Sequence, residues 1–253
     1  MIFIEIGAHH GQSTEIALNP RYGFKEFLLF EPSTNAIKYL KTFKDPRIKI
    51  FEFGLSNQDG EVELVNSGAV GASIFPNKYK EQAMFKEKIV LKQASRVLSQ
   101  YLHGSKVFIR INCEGSEVLI LENLLESKLL NQQHSILVDF DIVRFDPLYP
   151  IHRILEGLNK TGVRSYQAEY FGELYNKESV QKWLDYELIG LKKHTNLTTS
   201  FRYKTKSYFY RRRRIYKLCA QFIPKKIKAF VFKKLRQIKL TSNFLISKVV
   251  KFN

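Results

Sequence analysis

The first eleven residues constrain the fold of this chain more than any other stretch. Residues 2–6 form an apolar run that is too short for a free-standing helix and is typical of a buried strand. The run ends at Gly7 and passes through small residues to Gly11, and residues 13–15 (Ser-Thr-Glu) favour the start of a helix. A glycine turn that leads into a helix lets the backbone approach a ligand and offers it free N–H groups. The Gly-x-x-x-Gly spacing matches neither the dinucleotide motif nor the P-loop motif, and an ordinary βα turn looks much the same.

The next segments repeat the strand and helix pattern. Residues 27–31 and 47–53 read as strands, and a helix over 34–43 lies between them with Ser33 as its cap. A β-α-β-α-β succession predicts a parallel, doubly wound sheet. Such sheets bind ligands at the carboxyl ends of their strands.

The rest of the domain continues the alternation with less regularity. An Asn-Gln-Asp-Gly turn at 57–60 precedes a half-exposed strand. The predicted strands are 61–65, 88–92, 106–111, 134–141, 162–169 and 193–203, and the predicted helices are 95–103, 118–130, 151–160 and 177–186. We therefore expect one α/β domain over 1–203 and a separate tail over 204–253.

Glu31 stands at the end of the second predicted strand, 20 residues after Gly11. An acid at this place in an α/β nucleotide site accepts hydrogen bonds from the ribose hydroxyls. The alternative is that Glu31 only stabilises the N-terminus of the following helix, which is worth roughly 0.3–1 kcal/mol. The ribose role is favoured because the glycine turn precedes it.

The positive charge of the chain lies in its tail. The formal net charge is +17, and residues 202–253 contain 17 Lys and Arg residues with no Asp or Glu. The 24 remaining basic residues equal the 24 acidic ones, so the main domain is formally neutral.

The tail combines this charge with helical periodicity. Apolar residues recur from Ile215 to Ile238 at helical spacing, interrupted by Pro224, and the Arg211–Arg214 run precedes them. A basic amphipathic helix over 205–253 fits an anionic membrane surface. Nucleic acid is a less favoured partner, because it explains the charge but not the apolar stripe. Packing against the domain is the third alternative.

The sequence predicts no targeting or spanning segment. It has no run of 18 apolar residues, and it begins directly with a strand, so neither a membrane-spanning helix nor a signal peptide is expected. Cys113 and Cys219 form no ligand or disulfide motif, and Cys113 is expected in the core. We expect a cytoplasmic protein that associates peripherally with a membrane.

Four motifs, in order over about residues 1–145, resemble the FkbM-type S-adenosylmethionine-dependent methyltransferases. Residues 4–14 resemble the first motif of that family, and 30–33 resemble its Phe-Glu-Pro strand end. Residues 54–64 resemble the stretch that places a small residue near adenine before an Asp-Gly hairpin. Residues 110–117 resemble the signature Lys-Ile-Asp-x-Glu-Gly-x-Glu.

The resemblance implies a class I, Rossmann-like methyltransferase fold with a mostly parallel seven-stranded sheet and helices on both faces. It implies S-adenosylmethionine as cofactor and transfer to oxygen, typically a hydroxyl of a saccharide. The cofactor-binding residues that it implies are Glu5, Gly7, Ala8, His9, Gly11, Thr14, Glu31, Pro32, Leu55, Ser56 and Asn112.

The sequence departs from the family at three motif positions. The signature lysine is Arg110, the signature aspartate is Asn112, and the asparagine of the first motif is His9. An amide is neither a general base nor a good ligand for a divalent cation, so no metal site is predicted. Glu114 is the preferred base, and the other candidates are His9, His10, Asp139 and Asp141.

The expected function is O-methylation of a sugar hydroxyl in a glycan or lipid-linked saccharide at a membrane surface. The alternative is a degenerate, non-catalytic module that binds the cofactor or a glycan, as the substitutions at Arg110 and Asn112 suggest.

Overall fold

The computed structural model describes residues 1–69, 71–75, 85–146, 149–168 and 176–190. The strands are β1 (Ile2–Ile6), β2 (Glu26–Phe30), β3 (Ile48–Phe51), β4 (Gly54–Ser56), β5 (Gly60–Val65), β6 (Lys86–Gln93), β7 (Val107–Ile111), β8 (His134–Val138) and β9 (Arg164–Gln167). The α-helices are α1 (Gln12–Ala17), α2 (Thr34–Leu40), α3 (Ala94–Leu102), α4 (Glu117–Glu126), α5 (Ile142–Phe145), α6 (Ile151–Thr161) and α7 (Asn176–Leu184). A 3₁₀ turn covers Pro20–Tyr22, and a π-helical turn covers Asp185–Ile189.

The main sheet confirms the predicted parallel α/β architecture. Within the described residues it has six strands in the order β3-β2-β1-β7-β8-β9, and each neighbouring pair is parallel. The seventh strand that the family resemblance implies was expected over 193–203, which lies outside the described residues. The tail predicted for 204–253 lies outside them as well.

The strand order reverses between β1 and β7. The strands β1, β2 and β3 follow one another towards one edge of the sheet, and β7, β8 and β9 follow one another towards the other. The connections after β1 and β7 therefore diverge and leave a crevice at the carboxyl ends of these two strands. Glu5 is paired in register with Leu29 on one side and with Arg110 on the other.

Apolar side chains cover both faces of the sheet because successive strand residues point in opposite directions. Ile4 belongs to a buried cluster that includes Leu98 of α3 and Leu121 of α4. Phe3 belongs to the opposite cluster, with Ala17 of α1 and Trp183 of α7. Helices therefore flank the sheet on both faces, as predicted.

A second, three-stranded sheet has the order β4-β6-β5, with β6 parallel to β4 and antiparallel to β5. The prediction of a hairpin at Asp59-Gly60, which came from the family resemblance, is therefore wrong. Strands β4 and β5 lie on opposite sides of β6 and do not pair with each other. Asp59 instead accepts a hydrogen bond from the backbone N–H of Gln93 at 2.8 Å and pairs with Arg96.

Two other local predictions need correction. Ser33 stands at the N-cap of α2, but its hydroxyl makes no capping bond and lies 2.9 Å from the Ser67 hydroxyl. Glu87 of β6 provides the acceptor instead, at 3.0 Å from the Thr34 backbone nitrogen, and so ties the small sheet to α2. The strand predicted to reach Asp141 ends at Val138, and Asp141 is the N-cap of the short helix α5.

No helix in the described part of the chain is both long enough and apolar enough to span a bilayer.

Candidate functional site

A cavity of about 540 Å³ lies at the carboxyl ends of β1, β2 and β7. Strands of the small sheet and the segment around residues 68–74 provide further parts of its wall. Its size falls within the range of about 300–1,000 Å³ that is usual for small-molecule sites. Of the residues predicted to bind the cofactor, the cavity is lined by Glu5, Gly7, Ala8, His9, Glu31, Pro32, Leu55 and Asn112.

The turn after β1 is fixed by its two neighbouring strands. Gly7 has φ +79°, and a Cβ placed on it would lie 2.1 Å from the carbonyl oxygen of Asn112. The backbone N–H groups of Gly7 and Ala8 both donate to the Phe30 carbonyl, at 3.0 and 3.1 Å. Only glycine allows both the left-handed backbone and this close approach.

Glu5 is a buried carboxylate whose position depends on α1. Its Oε2 accepts hydrogen bonds from the Thr14 backbone nitrogen at 3.1 Å and from the Thr14 hydroxyl at 2.5 Å. Burial raises the pKa of Glu5, and the bonds from Thr14 and Ser13 and the charge of Arg110 oppose that rise. Thr14 itself does not line the cavity, so its place is beneath the site, where it orients Glu5.

Glu31 joins the end of β2 to the turn after β1. Its Oε2 accepts from the His9 backbone nitrogen at 2.8 Å, and its Oε1 accepts from the Ser33 backbone nitrogen at 2.9 Å. Burial raises the pKa of Glu31 to about 7, against the effect of these two bonds. The carboxyl group is therefore held in one orientation in the cavity wall and titrates near neutral pH.

His9 has a strained backbone and a half-buried ring. Its φ is +48°, and its ring is stacked on that of His10 with a centroid distance of 3.8 Å. Nδ1 lies 3.5 Å from Nε2 of Gln12, while the buried Nε2 has no hydrogen-bond partner among the described residues. Burial, and then the charge of His10, lowers the pKa of His9. The ring is therefore neutral at neutral pH.

The end of β7 forms the opposite wall. The Asn112 backbone nitrogen donates to the Ile6 carbonyl at 3.0 Å, and its buried Oδ1 has no hydrogen-bond partner in the described part of the chain. Glu114 has φ +53°, and its carbonyl accepts the Ser73 hydroxyl at 2.7 Å. Cys113, expected in the core, also lines the cavity, and its thiol donates to the Ile6 carbonyl at 3.2 Å.

An apolar wall faces these polar groups. It is formed by residues at the end of β2, in β4 and in the small sheet, namely Phe30, Pro32, Leu55, Leu64, Ile89 and Leu91. Gly54 brings β4 close to this wall, since a Cβ on it would lie 2.7 Å from Leu91 Cδ2. A flat aromatic base fits such a surface better than a charged group does.

Six of the predicted site residues do not line the cavity, and two of them are the candidate bases His10 and Asp139. Gly11 (φ +79°) packs against the end of α2 and the residues after it, and a Cβ on it would lie 2.5 Å from the Phe43 ring. Thr14 holds Glu5, as described above. Ser56 is buried, and its hydroxyl donates to Asn57 Oδ1 at 3.2 Å. Asp141, a predicted catalytic residue, is buried at the start of α5.

Sequence reasoning missed Glu117, the second glutamate of the 110–117 motif. Its Oε2 accepts from the Gly115 backbone nitrogen at 2.6 Å, and its Oε1 accepts from the Ile142 backbone nitrogen at 2.9 Å. It therefore ties the loop that carries Glu114 to α5. Burial raises its pKa to about 7. The motif spacing marked this residue, but nothing in the sequence identified its two backbone partners.

The formally charged side chains around the cavity have one sign. Among the described residues that line it, the charged side chains are the carboxylates of Glu5, Glu31, Glu114 and Glu178, and none is Lys or Arg. Arg110 lies beside Glu5 in the sheet, fully buried, and donates to the Ile111 carbonyl at 2.6 Å. No group of three or more His, Cys, Asp or Glu side chains is placed to hold a metal ion in the described part of the chain.

Comparisons with known proteins show one weak structural similarity. No protein-family model matches the chain, and no curated protein matches it. Among solved structures, the chain is similar to the methyltransferase FkbM from Methylobacillus flagellatus KT, with a TM-score of 0.33 and 16% sequence identity. The match covers 49% of this chain and 29% of that protein. The site is therefore interpreted from its own geometry.

We predict that Glu117→Gln changes how stability depends on pH. The pKa of Glu117 rises from 4.5 to about 7 on folding, so its contribution to stability is fully present below the lower value and is lost as the pH rises through the higher one. Relative to the Gln variant, the wild type should lose about 3 kcal/mol of unfolding free energy between about pH 4.5 and about pH 8. Urea unfolding followed by circular dichroism measures this difference.

The matched control is Glu126→Gln, which changes an exposed carboxylate of the same helix. A pH-independent difference between the wild type and Glu117→Gln would contradict the prediction.

Proposed function

We propose that this protein is an S-adenosylmethionine-dependent methyltransferase. The observation that carries the proposal is the charge of the cavity, which has four carboxylates and no cationic side chain among its described lining residues. Nucleotide phosphates would be repelled there. S-adenosylmethionine carries a sulfonium and an ammonium group, and both are attracted by such a lining.

The residues present fit this cofactor in four respects. The Glu31 oxygens each accept one backbone bond and keep lone pairs for the ribose hydroxyls. The Asn112 Oδ1 is a buried acceptor without a partner among the described residues, and an ammonium group would satisfy it. The apolar wall at Pro32 and Leu55 would hold the adenine. Glu5 would add a second negative charge near the methionine end.

The bound cofactor would supply a methyl group whose carbon the acceptor oxygen attacks, and the displaced thioether sulfur would keep the electron pair of the broken carbon–sulfur bond. The chain must then orient the acceptor and take its proton. We propose the His9 ring as the proton acceptor, because it is neutral and lines the cavity; the backbone of Gly68 beside the ring favours the protonated form that the transfer would produce. In this role the proton of the neutral ring is on Nδ1, which donates to Gln12. The Gln12 amide must then turn its oxygen, not its nitrogen, towards Nδ1. Glu114 is the rival base.

The acceptor that we propose is a hydroxyl group of a saccharide, in a glycan or a lipid-linked precursor. This part of the proposal rests on the motif resemblance over residues 110–117, and the membrane setting rests on the charge of residues 205–253. The alternative is a non-catalytic module that binds the cofactor or a glycan. Asn112 and Arg110 in the signature motif favour that alternative.

Glu31→Gln should weaken S-adenosylmethionine binding by roughly 10- to 100-fold, since it removes charge-assisted hydrogen bonds to the ribose. Isothermal titration calorimetry on the full chain measures the loss. In the wild type, affinity should rise as the pH increases through about 7, because the Glu31 carboxyl ionises there. In the variant this dependence should flatten.

The matched control is Glu61→Gln, which changes an exposed carboxylate in β5 outside the cavity and should bind like the wild type. ATP serves as the anionic competitor and should not bind. Equal affinity of the wild type and Glu31→Gln, or tighter binding of ATP than of S-adenosylmethionine, would count against the proposed function.

His9→Gln should keep S-adenosylmethionine binding and lower turnover by roughly 10²–10⁴-fold, because the proton acceptor is lost. Transfer of a radiolabelled methyl group to the glycolipid fraction of the producing cells measures turnover, and calorimetry measures binding. Glu114→Gln is the comparison. A loss confined to Glu114→Gln would assign the base to Glu114, and binding without any turnover in the wild type would support the non-catalytic module.

The full chain should float with vesicles that contain anionic lipid and not with pure phosphatidylcholine vesicles. Changing Arg211–Arg214 to Gln should weaken binding by about 10²–10³-fold, at about 1 kcal/mol for each charge. The control changes four exposed lysines of the domain to Gln, namely Lys25, Lys44, Lys88 and Lys160. Equal losses in both variants, or release from vesicles by added RNA at low salt, would contradict a membrane role for the tail.

A further inference from the structure

A second, shallower cavity of about 450 Å³ lies beside the first. It is lined by His10, Asn35, Lys38, Tyr39, Thr42 and Gly68. Gly68 lines both cavities, so the two meet at the segment after β5. We call this second cavity the α2 groove, because four of its lining residues lie in or directly after α2.

Three rings in contact run from the first cavity to the α2 groove, of which the first two are stacked and the last two are tilted. The His9 ring lines the first cavity and is stacked on His10 at 3.8 Å, and the His10 ring is 4.0 Å from that of Tyr39. Tyr39 is 55% exposed, although it is a large aromatic residue. A flat, exposed ring face of this kind is suited to stacking against the apolar face of a sugar ring.

The polar groups of the α2 groove differ from those of the first cavity. Its described lining has an ammonium group, an amide, an imidazole and two hydroxyls, and no carboxylate. The Lys38 ammonium donates to Asn35 Oδ1 across 3.4 Å, a long bond that leaves it other donors. The neighbouring carboxylate, Glu87, already accepts bonds from Thr34 and Ser67. Lys38 also interacts electrostatically with Glu87, and it is the cation in the described lining of the α2 groove that an anionic ligand would contact.

Asn35 and Thr42 add fixed hydrogen-bonding groups to the α2 groove. Asn35 packs closely against the segment after β5, since a Cβ on Gly68 would lie 3.0 Å from Asn35 Cβ. The Thr42 hydroxyl donates to the Tyr39 carbonyl at 2.7 Å and keeps its oxygen as an acceptor. Both groups belong to the helix that carries the ring and the cation, so their spacing is set by α2.

We propose that the α2 groove binds the acceptor and that the acceptor is an anionic saccharide, with a phosphate or a carboxylate on its ring. The anion binds Lys38, the ring packs on Tyr39, and the hydroxyl group to be modified points towards His9. This inference rests on the proposed function for the reaction, but the binding of an anionic sugar in the α2 groove is a separate property.

The test is binding of three probes to the full chain without cofactor, measured by saturation-transfer NMR and calorimetry. The probes are glucose 6-phosphate, glucuronic acid and glucose. We expect the two anionic sugars to bind in the millimolar range and at least about tenfold more tightly than glucose. A preference for one anionic sugar over the other identifies the source of the charge.

Variants locate the site. Lys38→Gln should remove the preference for anionic sugars, and Tyr39→Ala should weaken all three probes, whereas Tyr39→Phe should retain them. Lys44→Gln is the matched control, because Lys44 is exposed and lies outside the α2 groove. S-adenosylmethionine binding should be unchanged in all four variants, since none of these side chains lines the first cavity.

The inference is overturned if the wild type does not prefer the anionic sugars, or if Lys38→Gln and Tyr39→Ala bind them as the wild type does. Its failure is distinguishable from failure of the proposed function. If S-adenosylmethionine binds normally and anionic sugars do not bind, only the proposal for the α2 groove is refuted. If anionic sugars bind and S-adenosylmethionine does not, only the proposed cofactor is refuted.

Discussion

The close approach of Gly7 to the Asn112 carbonyl is the constraint on which the site depends. Any side chain at Gly7 would place its Cβ 2.1 Å from that oxygen and push the ends of β1 and β7 apart. The same turn orients the His9 backbone nitrogen towards Glu31 at 2.8 Å. The turn at the point where the strand order reverses is therefore in contact with the ends of both neighbouring strands, β2 and β7. The cavity lies at these three strand ends.

The cavity brings carboxyl groups together in a buried place, where their ionisation is unfavourable. A bound cation would offset this unfavourable free energy. Burial raises the pKa of Glu5 and of Glu31, and the charge of Glu5 raises the pKa of Glu31 further. Arg110 is the buried cation beside them, but its own pKa is lowered by burial and its guanidinium donates to backbone carbonyls. A cationic ligand would favour the ionised carboxylates more strongly than these fixed groups do. The site is thus suited to bind a cationic ligand, because its own groups do not neutralise the charge of the two carboxylates.

The sequence predicted the parts of this arrangement that depend on local pattern. Apolar runs marked the strands, and Glu31 was placed correctly because it directly follows one of them. Gly11 and Ser56 were assigned to the site from the family resemblance and Asp141 from its place in a predicted strand, but long-range packing decides their places. Gly11 faces the Phe43 ring, and Asp141 follows a strand that ends three residues early. The pairing of β6 with both β4 and β5 has no local signature, so the second sheet could not be predicted either.

The two cavities have opposite electrostatic character although they share Gly68. A sulfonium donor would be repelled from the α2 groove, and an anionic acceptor would be repelled from the first cavity. Each cavity would therefore select its own ligand without a conformational change. His9 lies where they would meet, with a neutral ring between the acidic cavity and Lys38. Its left-handed backbone fits this interpretation, because φ +48° is costly for a residue that only packs. An asparagine would adopt that backbone more readily, so histidine here is better explained by its ring than by the turn.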